Sequence, residues 1–527
     1  MTIFHLPQID HPSMTISGEL CVIGAGIAGL LIANRIAKAG RKVIVIESGK
    51  DKFDPEIHDL NAVEDVDGRY SRELDGRFRG LGGSSSRWGG RLIPMSGHDT
   101  ARRDHIGMPA WPLDVASLDC YGEEIEKLFG VANGSFEKLP EINSRGALSL
   151  LGNGHLETRW AKCPSLRNCN LAHVLRRELS KNPNIEIWLE ATVCDFDLDR
   201  DSGFLREITA RNFAGKSLTV KAGRFVFTAG TIETTKLMLL MDRCANEKMF
   251  AKPSVIGRYF QDHLKVEVAT IGRYDAVMTN RLFAYRYVNS TRRDLHLDLG
   301  QTAQTQGGVA SAFAYIAMDV VNSPLAALRR VAKNLQRRQL DLRELVTISK
   351  NTGLVAQAAY WRAVRKQLFV PKDVNFKVMI CAEQLPEWKN RISLSPALDR
   401  LGMPKAQIEW QPMPSEERTF RIAVARLADY WKSAALDQKC PLMLNDLVQD
   451  PAGSIIAKSE ACAHPSGTTR MGTNPADSIV GPDLHCHAVP NVSIVSASVF
   501  PTAGSANPTF TIMKLAYSFA DNYLKRA

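Results

Sequence analysis

Residues 19–47 read E-L-C-V-I-G-A-G-I-A-G-L-L-I-A-N-R-I-A-K-A-G-R-K-V-I-V-I-E. Glu19 to Ile23 form a short apolar run of strand character, Leu30 to Ala39 a helical one, and Lys42 to Ile46 a second strand. Between the first strand and the helix stands Gly24-Ala25-Gly26-Ile27-Ala28-Gly29. Gly24 permits a tight turn, Gly26 lets backbone approach a pyrophosphate, and Gly29 lets helix and strand pack closely. Ile27 and Ala28 open the helix, whose free N–H groups and positive dipole end suit phosphates. Gly40 stops the helix, and Glu47 offers a carboxylate to ribose hydroxyls, which argues against a 2′-phosphate. Together these features predict a parallel α/β dinucleotide-binding unit, without deciding between FAD and NAD.

The stretch from Arg79 to Gly90, R-G-L-G-G-S-S-S-R-W-G-G, is too long for a simple turn. Backbone N–H groups at Gly82, Gly83, Ser84 and Ser85 can lie along a flavin pyrophosphate and ring, with Trp88 as an apolar wall. A flexible surface linker is the plainer alternative.

Near the C-terminus A-C-A-H-P-S-G-T-T-R-M-G surrounds His464, and S-A-S-V-F-P-T-A-G-S-A-N-P-T-F-T surrounds Asn507. An imidazole can accept a hydroxyl proton near neutral pH, and a carboxamide can hold that hydroxyl in line. The plainer readings are a structural histidine and an asparagine capping the helix that begins near Thr509. His485 and His487 flank Cys486, but no further ligands cluster nearby, so no metal is expected.

At 527 residues the chain exceeds one hydrophobic core, and 45% hydrophobic with 23% charged residues is ordinary for a water-exposed enzyme. No run of apolar residues is long enough to span a bilayer, and the N-terminus lacks a basic-then-apolar signal, so a cytoplasmic location is expected. The ten cysteines are scattered with no C-x-x-C pair, which points to reduced thiols. Much of the net charge of +10 lies in residues 325–372, where Arg329, Arg330, Lys333, Arg337 and Arg338 stand among eleven basic residues against Asp341 and Glu344. This segment reads as a solvated basic helical insertion, or as a surface for anionic lipid, a phosphate-bearing substrate or a protein partner. Nucleic acid is excluded as a partner, because no stacking aromatics or binding motif accompany the charge.

In order along the chain, these segments resemble the glucose-methanol-choline (GMC) family of FAD-dependent oxidoreductases. Gly24 to Glu47 is similar to that family's FAD fingerprint, and Gly80 to Gly90 to its flavin-covering loop. F-V-F-T-A-G-T-I-E-T-T-K-L (Phe225 to Leu237) resembles its returning strand-turn-helix, and V-I-G-R-Y-F-Q-D-H (Val255 to His263) its V-G-x-x-x-x-D-H element. The His464 and Asn507 stretches are similar to its C-terminal signature. The resemblance implies FAD as cofactor and adds Val193, Ala229, Gly230, Ser496, Ala497, Pro508 and Thr509, with Asn507, to its contacts. His263 is read as a structural group.

The histidine–asparagine pairing is similar to that of pyranose oxidases and bacterial sugar dehydrogenases. Pyranose oxidases carry a threonine-histidine-tryptophan whose histidine bonds the flavin. Here Ser86-Arg87-Trp88 stands instead, which implies non-covalent FAD. Ser496 occupies a position where many relatives have aspartate. The implied reaction oxidises the CH–OH group of a sugar, glycoside or cyclitol. His464 takes the hydroxyl proton, Asn507 aims the carbinol, and a hydride passes to flavin N5. Alternatives are a sterol or long-chain alcohol as donor, or a catalytically silent flavin-binding interaction protein. Oxygen, a quinone or a redox protein would serve equally as electron acceptor.

The expected fold is α/β. A Rossmann-like FAD-binding domain is assembled from residues 1–270 and 450–527, including a helical, loop-rich excursion over 101–189. A substrate-binding domain over 271–449, built on a mostly antiparallel sheet with helices, carries the basic insertion. Within it, Phe376 to Leu394 reads as two strands around a polar turn at residues 386–390. Gln384 and Arg391 are candidate substrate contacts there, or equally scaffold.

Overall fold

Strand Ser13–Ile23 is the spine of the nucleotide-binding half. It pairs in parallel with Val43–Ile46 on one side and, over its full length, with Ser217–Phe227 on the other. Ile185–Leu189 and then Ile3–His5 extend the sheet beyond Val43–Ile46, again in parallel. Val492–Ile494 joins the end of Ser217–Phe227 in the same sense. Leu205–Arg211 and Thr192–Leu198 complete the sheet as antiparallel neighbours. The computed structural model describes residues 3–70, 72, 74–140, 152–250, 254–319, 326, 346, 349 and 351–526.

The organisation is thus Rossmann-like, drawn from separated stretches of chain. Its logic is local. Val43–Ile46 is buried at every position, as a continuous apolar run in a covered parallel sheet should be. Helix Ile27–Lys38 buries Leu30, Leu31, Ile32 and Ile36. Each such side chain contributes about 1.5–3 kcal/mol when fully removed from water. Ser13–Ile23 and its parallel neighbour Ser217–Phe227 end side by side, each followed by a glycine turn and a helix, Ile27–Lys38 and Thr231–Cys244, and the crevice opens at these carboxyl ends, beside Gly24.

The second sheet is antiparallel throughout. Its order is Arg286–Val288, Thr291–Leu299, Ala312–Met318, Phe376–Ala382, Leu264–Ile271 and Leu442–Leu444. Leu156–Cys163 pairs with Thr291–Leu299, and Glu460–Ala461 with Leu264–Ile271. Helix Pro414–Ser433 packs on this sheet and buries Phe420, Leu427 and Trp431 in a core separate from that of the parallel sheet. A third, small sheet joins Arg391–Leu398, Pro404–Glu409 and Val63–Asp65.

Two sequence expectations are corrected. Phe376–Ala382 and Arg391–Leu398 are both strands, but they lie in different sheets. Gln384 and Asn390 each donate to the Gln411 carbonyl, at 3.0 Å, which ties the connecting segment to the third sheet and prevents a hairpin. The excursion over 101–189 is also divided. Leu156–Cys163 belongs to the antiparallel sheet, whereas Ile185–Leu189 belongs to the parallel one. Part of the basic segment, residues 325, 327–345, 347, 348 and 350, lies outside the described residues. Among the described residues no helix is long and apolar enough to cross a membrane.

Candidate active site

At the carboxyl end of Ser13–Ile23 a cleft runs between the glycine turn, the loop at 83–85 and the C-terminal turns. Gly24 has φ +105°, a conformation that a side chain would strain. A Cβ on Gly29 would sit 2.0 Å from the Gly24 carbonyl oxygen, so helix and turn touch only because position 29 has no side chain. Gly24, Gly26, Ile27 and Ala28 line the cleft, while Gly29 lies behind it. Gly26 caps the helix with no side-chain hydrogen bond, which leaves the first-turn N–H groups for an anion.

Glu47 also lines the cleft, but its carboxylate is already engaged. Oε2 accepts from the Ala25 N–H at 2.8 Å, and Oε1 from Gly49 and Gly80 at 2.8 and 2.9 Å. Burial raises its pKa, and these N–H groups oppose the rise. Glu47 therefore clamps the glycine turn to the loop that follows Arg79; a ribose hydroxyl would add to this set.

In that loop Gly83, Ser84 and Ser85 face the cleft. Gly82 sits beneath, where a Cβ would come 2.4 Å from Asn170 Oδ1. A Cβ on Gly83 would approach the Gly26 Cα to 2.9 Å, so loop and helix start meet backbone to backbone. This cradle, with its uncapped N–H groups, fits the pyrophosphate of FAD. Trp88 departs from the sequence expectation. Its indole N–H donates to the Cys169 carbonyl at 2.8 Å and its ring packs edge-on against Phe129, outside the cleft lining. Arg79 anchors the loop from the other side through Glu233, at 2.7 Å. Burial works to raise the Glu233 pKa, yet Arg79, Lys236 and Arg77 hold it down to about 2.

The remaining expected contacts, Val193, Ala229, Gly230, Ser496, Ala497, Pro508 and Thr509, all line the same cleft. Ser496 spends its hydroxyl on its own turn, accepting from the Ser498 N–H at 3.2 Å. Ser48, Ala191, Thr192 and Thr228 line it too. Thr228 belongs to the quoted strand-turn-helix segment; no local motif marked the other three, which meet where Val43–Ile46 ends, the Ala191 N–H donating to the Glu47 carbonyl at 3.0 Å and the Ser48 and Thr192 hydroxyls lying 2.7 Å apart.

His464 reaches the cleft from the opposite wall. Asn507 Nδ2 lies 3.0 Å from His464 Nε2, and Asn507 Oδ1 is buried with no hydrogen-bond partner among the described residues. On the far side, His464 Nδ1 is 2.9 Å from His263 Nδ1, and His263 Nε2 is 2.8 Å from the Gly504 carbonyl oxygen. The chain of contacts fixes the tautomers. Gly504 requires a proton on His263 Nε2, His263 Nδ1 then accepts from His464 Nδ1–H, and His464 Nε2 keeps a lone pair facing Asn507 Nδ2–H.

Electrostatics separate the two rings. Burial, aided by the charges of His263, Arg91 and Lys265, drives the His464 pKa well below its ordinary value. For His263 burial acts in the same direction, but Cys381, Asp262 and the Gly504 carbonyl outweigh it and raise the pKa. An added proton therefore rests on His263. A doubly protonated His263 would reverse the bond between the imidazoles and turn the unpartnered Asn507 Oδ1 toward His464.

Asp262, which the sequence marks only as the acid of its D-H element, holds this pair in place. Its Oδ1 accepts from the His464 and Cys462 N–H groups at 2.9 and 3.2 Å, and its Oδ2 from the Tyr70 hydroxyl at 3.0 Å. Beyond His464, Arg91 forms an ion pair with Asp294 at 3.0 Å and lies 4.9 Å over the Tyr315 ring.

Gln384 and Arg391 do not join the site. Gln384 is fully buried, accepting from Asp262 N–H and Trp410 Nε1–H and donating to the Gln411 carbonyl. Arg391 pairs with Glu409 across the third sheet. Both are scaffold, because their polar atoms are consumed by Asp262, Trp410, Gln411 and Glu409. His485 and His487 bind Ser493 and the Gly472 carbonyl separately.

Residues 386–516 match a family model described as GMC oxidoreductase, and residues 22–52 one described as an NAD(P)-binding Rossmann-like domain. The chain is 30% identical over 554 residues to the long-chain-alcohol oxidase FAO4A of Arabidopsis thaliana, covering 98% of this chain and 69% of the relative. It is 23% identical to the 2-methyl-1,2-propanediol dehydrogenase of Mycolicibacterium austroafricanum, covering 96% and 95% of the two chains. With the 6'''-hydroxyparomomycin C oxidase of Streptomyces lividus the identity is 22%, over 94% and 89%. Among solved structures, pyridoxine 4-oxidase from Mesorbium loti shares the fold, with a TM-score of 0.57 at 15% identity over 96% and 99% of the chains.

Proposed function

The chain belongs to the glucose-methanol-choline (GMC) oxidoreductase family, FAD-dependent enzymes acting on alcohols, and we propose that its donor is the CH–OH group of a sugar, glycoside or cyclitol. The observation that carries this reading is His464 in the lining of the cofactor cleft with Asn507, itself outside that lining, 3.0 Å from it, and with Asn507 Oδ1 unpartnered among the described residues.

Bound FAD supplies the hydride acceptor. The protein supplies alignment and proton transfer. A donor hydroxyl between His464 and Asn507 gives its proton to His464 Nε2, while the Asn507 carboxamide holds its oxygen. The Nδ1 proton of His464 can then shift to His263 Nδ1, where Asp262 and the Gly504 carbonyl support the positive charge. Such positioning is worth several kcal/mol of the barrier, because hydride transfer tolerates little misplacement.

Two observations support the finer points. Arg91, whose charge acts on His464, is paired with Asp294 and stacked on Tyr315, polar surroundings that suit a polyhydroxylated donor better than an aliphatic chain. The relative named for 6'''-hydroxyparomomycin C favours the same class. Among the described residues lining the cleft His464 is the one imidazole, with no cysteine or tyrosine, which supports dissociable FAD.

The test is anaerobic bleaching of the FAD-loaded protein. Reduction by a panel of pyranoses, glycosides and cyclitols supports the proposal. Reduction by dodecanol alone moves the donor to the long-chain class. Comparing turnover with oxygen and with an artificial quinone then assigns the acceptor.

A further inference from the structure

Behind the turn that carries Asn507 lies a second cavity of about 560 Å³, which shares no lining residue with the cofactor cleft. It is walled by the stretch Pro94 to Asp99, helix Gly122–Phe129, strands Leu156–Cys163 and Thr291–Leu299, and the start of helix Thr509–Arg526. Seven carboxylate side chains line it against two basic ones, Arg159 and Lys514, in a chain whose net charge is +10.

Those cations are already committed. Lys514 pairs with Asp119 at 2.6 Å, and Arg159 with Asp298 at 3.1 Å. Two oxygens remain over. Glu126 is 4% exposed, gives one oxygen to Lys162, and leaves Oε2 buried with no partner among the described residues. Asp298 leaves Oδ1 in the same condition. Burial raises both carboxyls. Asp298 rises to about 6, with Arg159 opposing and Asp99 and Glu157 adding; Glu126 rises against Lys162 and Arg293, with Glu123 adding. A buried carboxylate oxygen with no donor costs free energy that a positively charged donor would recover. Among the described residues no group of three His, Cys, Asp or Glu is arranged to hold a metal ion. An ammonium group, with three N–H donors, matches the excess charge and the two unpartnered acceptors.

We propose that this cavity is a second binding site, for a small organic molecule carrying ammonium groups. The site stands apart from the oxidation chemistry and is read without turnover. Calorimetric titration of the FAD-loaded protein with diaminobutane should show one saturable site, with butanediol giving no heat. Glu126→Gln and Asp298→Asn should each weaken binding about tenfold or more, while retaining the flavin spectrum that reports folding. If diaminobutane fails to bind, or binds both variants as tightly as the parent, the proposal is wrong.

Discussion

His263 and His464 face each other Nδ1 to Nδ1 at 2.9 Å, so a single proton serves both atoms. Two imidazoles in this arrangement titrate as a pair, and their surroundings decide which one holds an extra charge. Here the surroundings favour His263, so the proton that His464 Nε2 takes from a donor ends as positive charge on His263.

His263→Gln should therefore do more than loosen packing. The first proton added to the pair rests on His263 and takes the His464 Nε2 lone pair out of play; without His263 that step is left to His464, whose pKa burial holds low, so the acid limb of flavin reduction moves to lower pH. The maximal reduction rate should fall while KM for the alcohol changes little. A uniform loss of rate with an unmoved pH profile would make His263 merely structural.

Asp262 makes a stability prediction. Burial raises its pKa from 3.8 to about 6, opposed by hydrogen bonds from His464, Tyr70 and Cys462. The folded protein thus holds this proton more tightly than the unfolded chain. That contribution is full at low pH and is lost as pH rises through about 6, on the order of 1–3 kcal/mol. Asp298 shares the window, so Asp262→Asn should reduce the fall in Tm between about pH 4 and 6 and not abolish it. An unchanged slope would show that Asp262 is ionised in the same range as an exposed carboxylate.

Glu47→Gln should weaken FAD binding by about 10–100-fold, since one face of the amide turns a donor toward backbone N–H groups that need an acceptor. Fluorescence titration with FAD measures this. Affinity equal to that of the parent would mean that the clamp on Ala25, Gly49 and Gly80 does not shape the cleft.

What could be read from the chain follows the range of the interaction. Gly24 and Gly29 are legible because the turn and the helix they serve are their own neighbours. His464 and Asn507 were visible as chemistry-bearing residues in turns of small residues. The Asp262–His263 element reads in the sequence as structural, because its partner His464 lies 201 positions beyond His263. Trp88 was assigned to the cleft from its loop, whereas the Cys169 carbonyl draws it away. Gln384 and Arg391 read as available because Trp410 and Glu409, which occupy them, are brought to them by the fold of the third sheet and its end, which periodicity does not reveal.

Stopped-flow mixing of FAD-loaded His464→Ala with an accepted sugar, without oxygen, reads the base directly. Flavin absorbance should be retained and its bleaching should slow by about 10²–10⁴-fold relative to the parent. Bleaching at the parental rate would remove His464 from proton abstraction and, with it, the pairing with Asn507 as the centre of the chemistry.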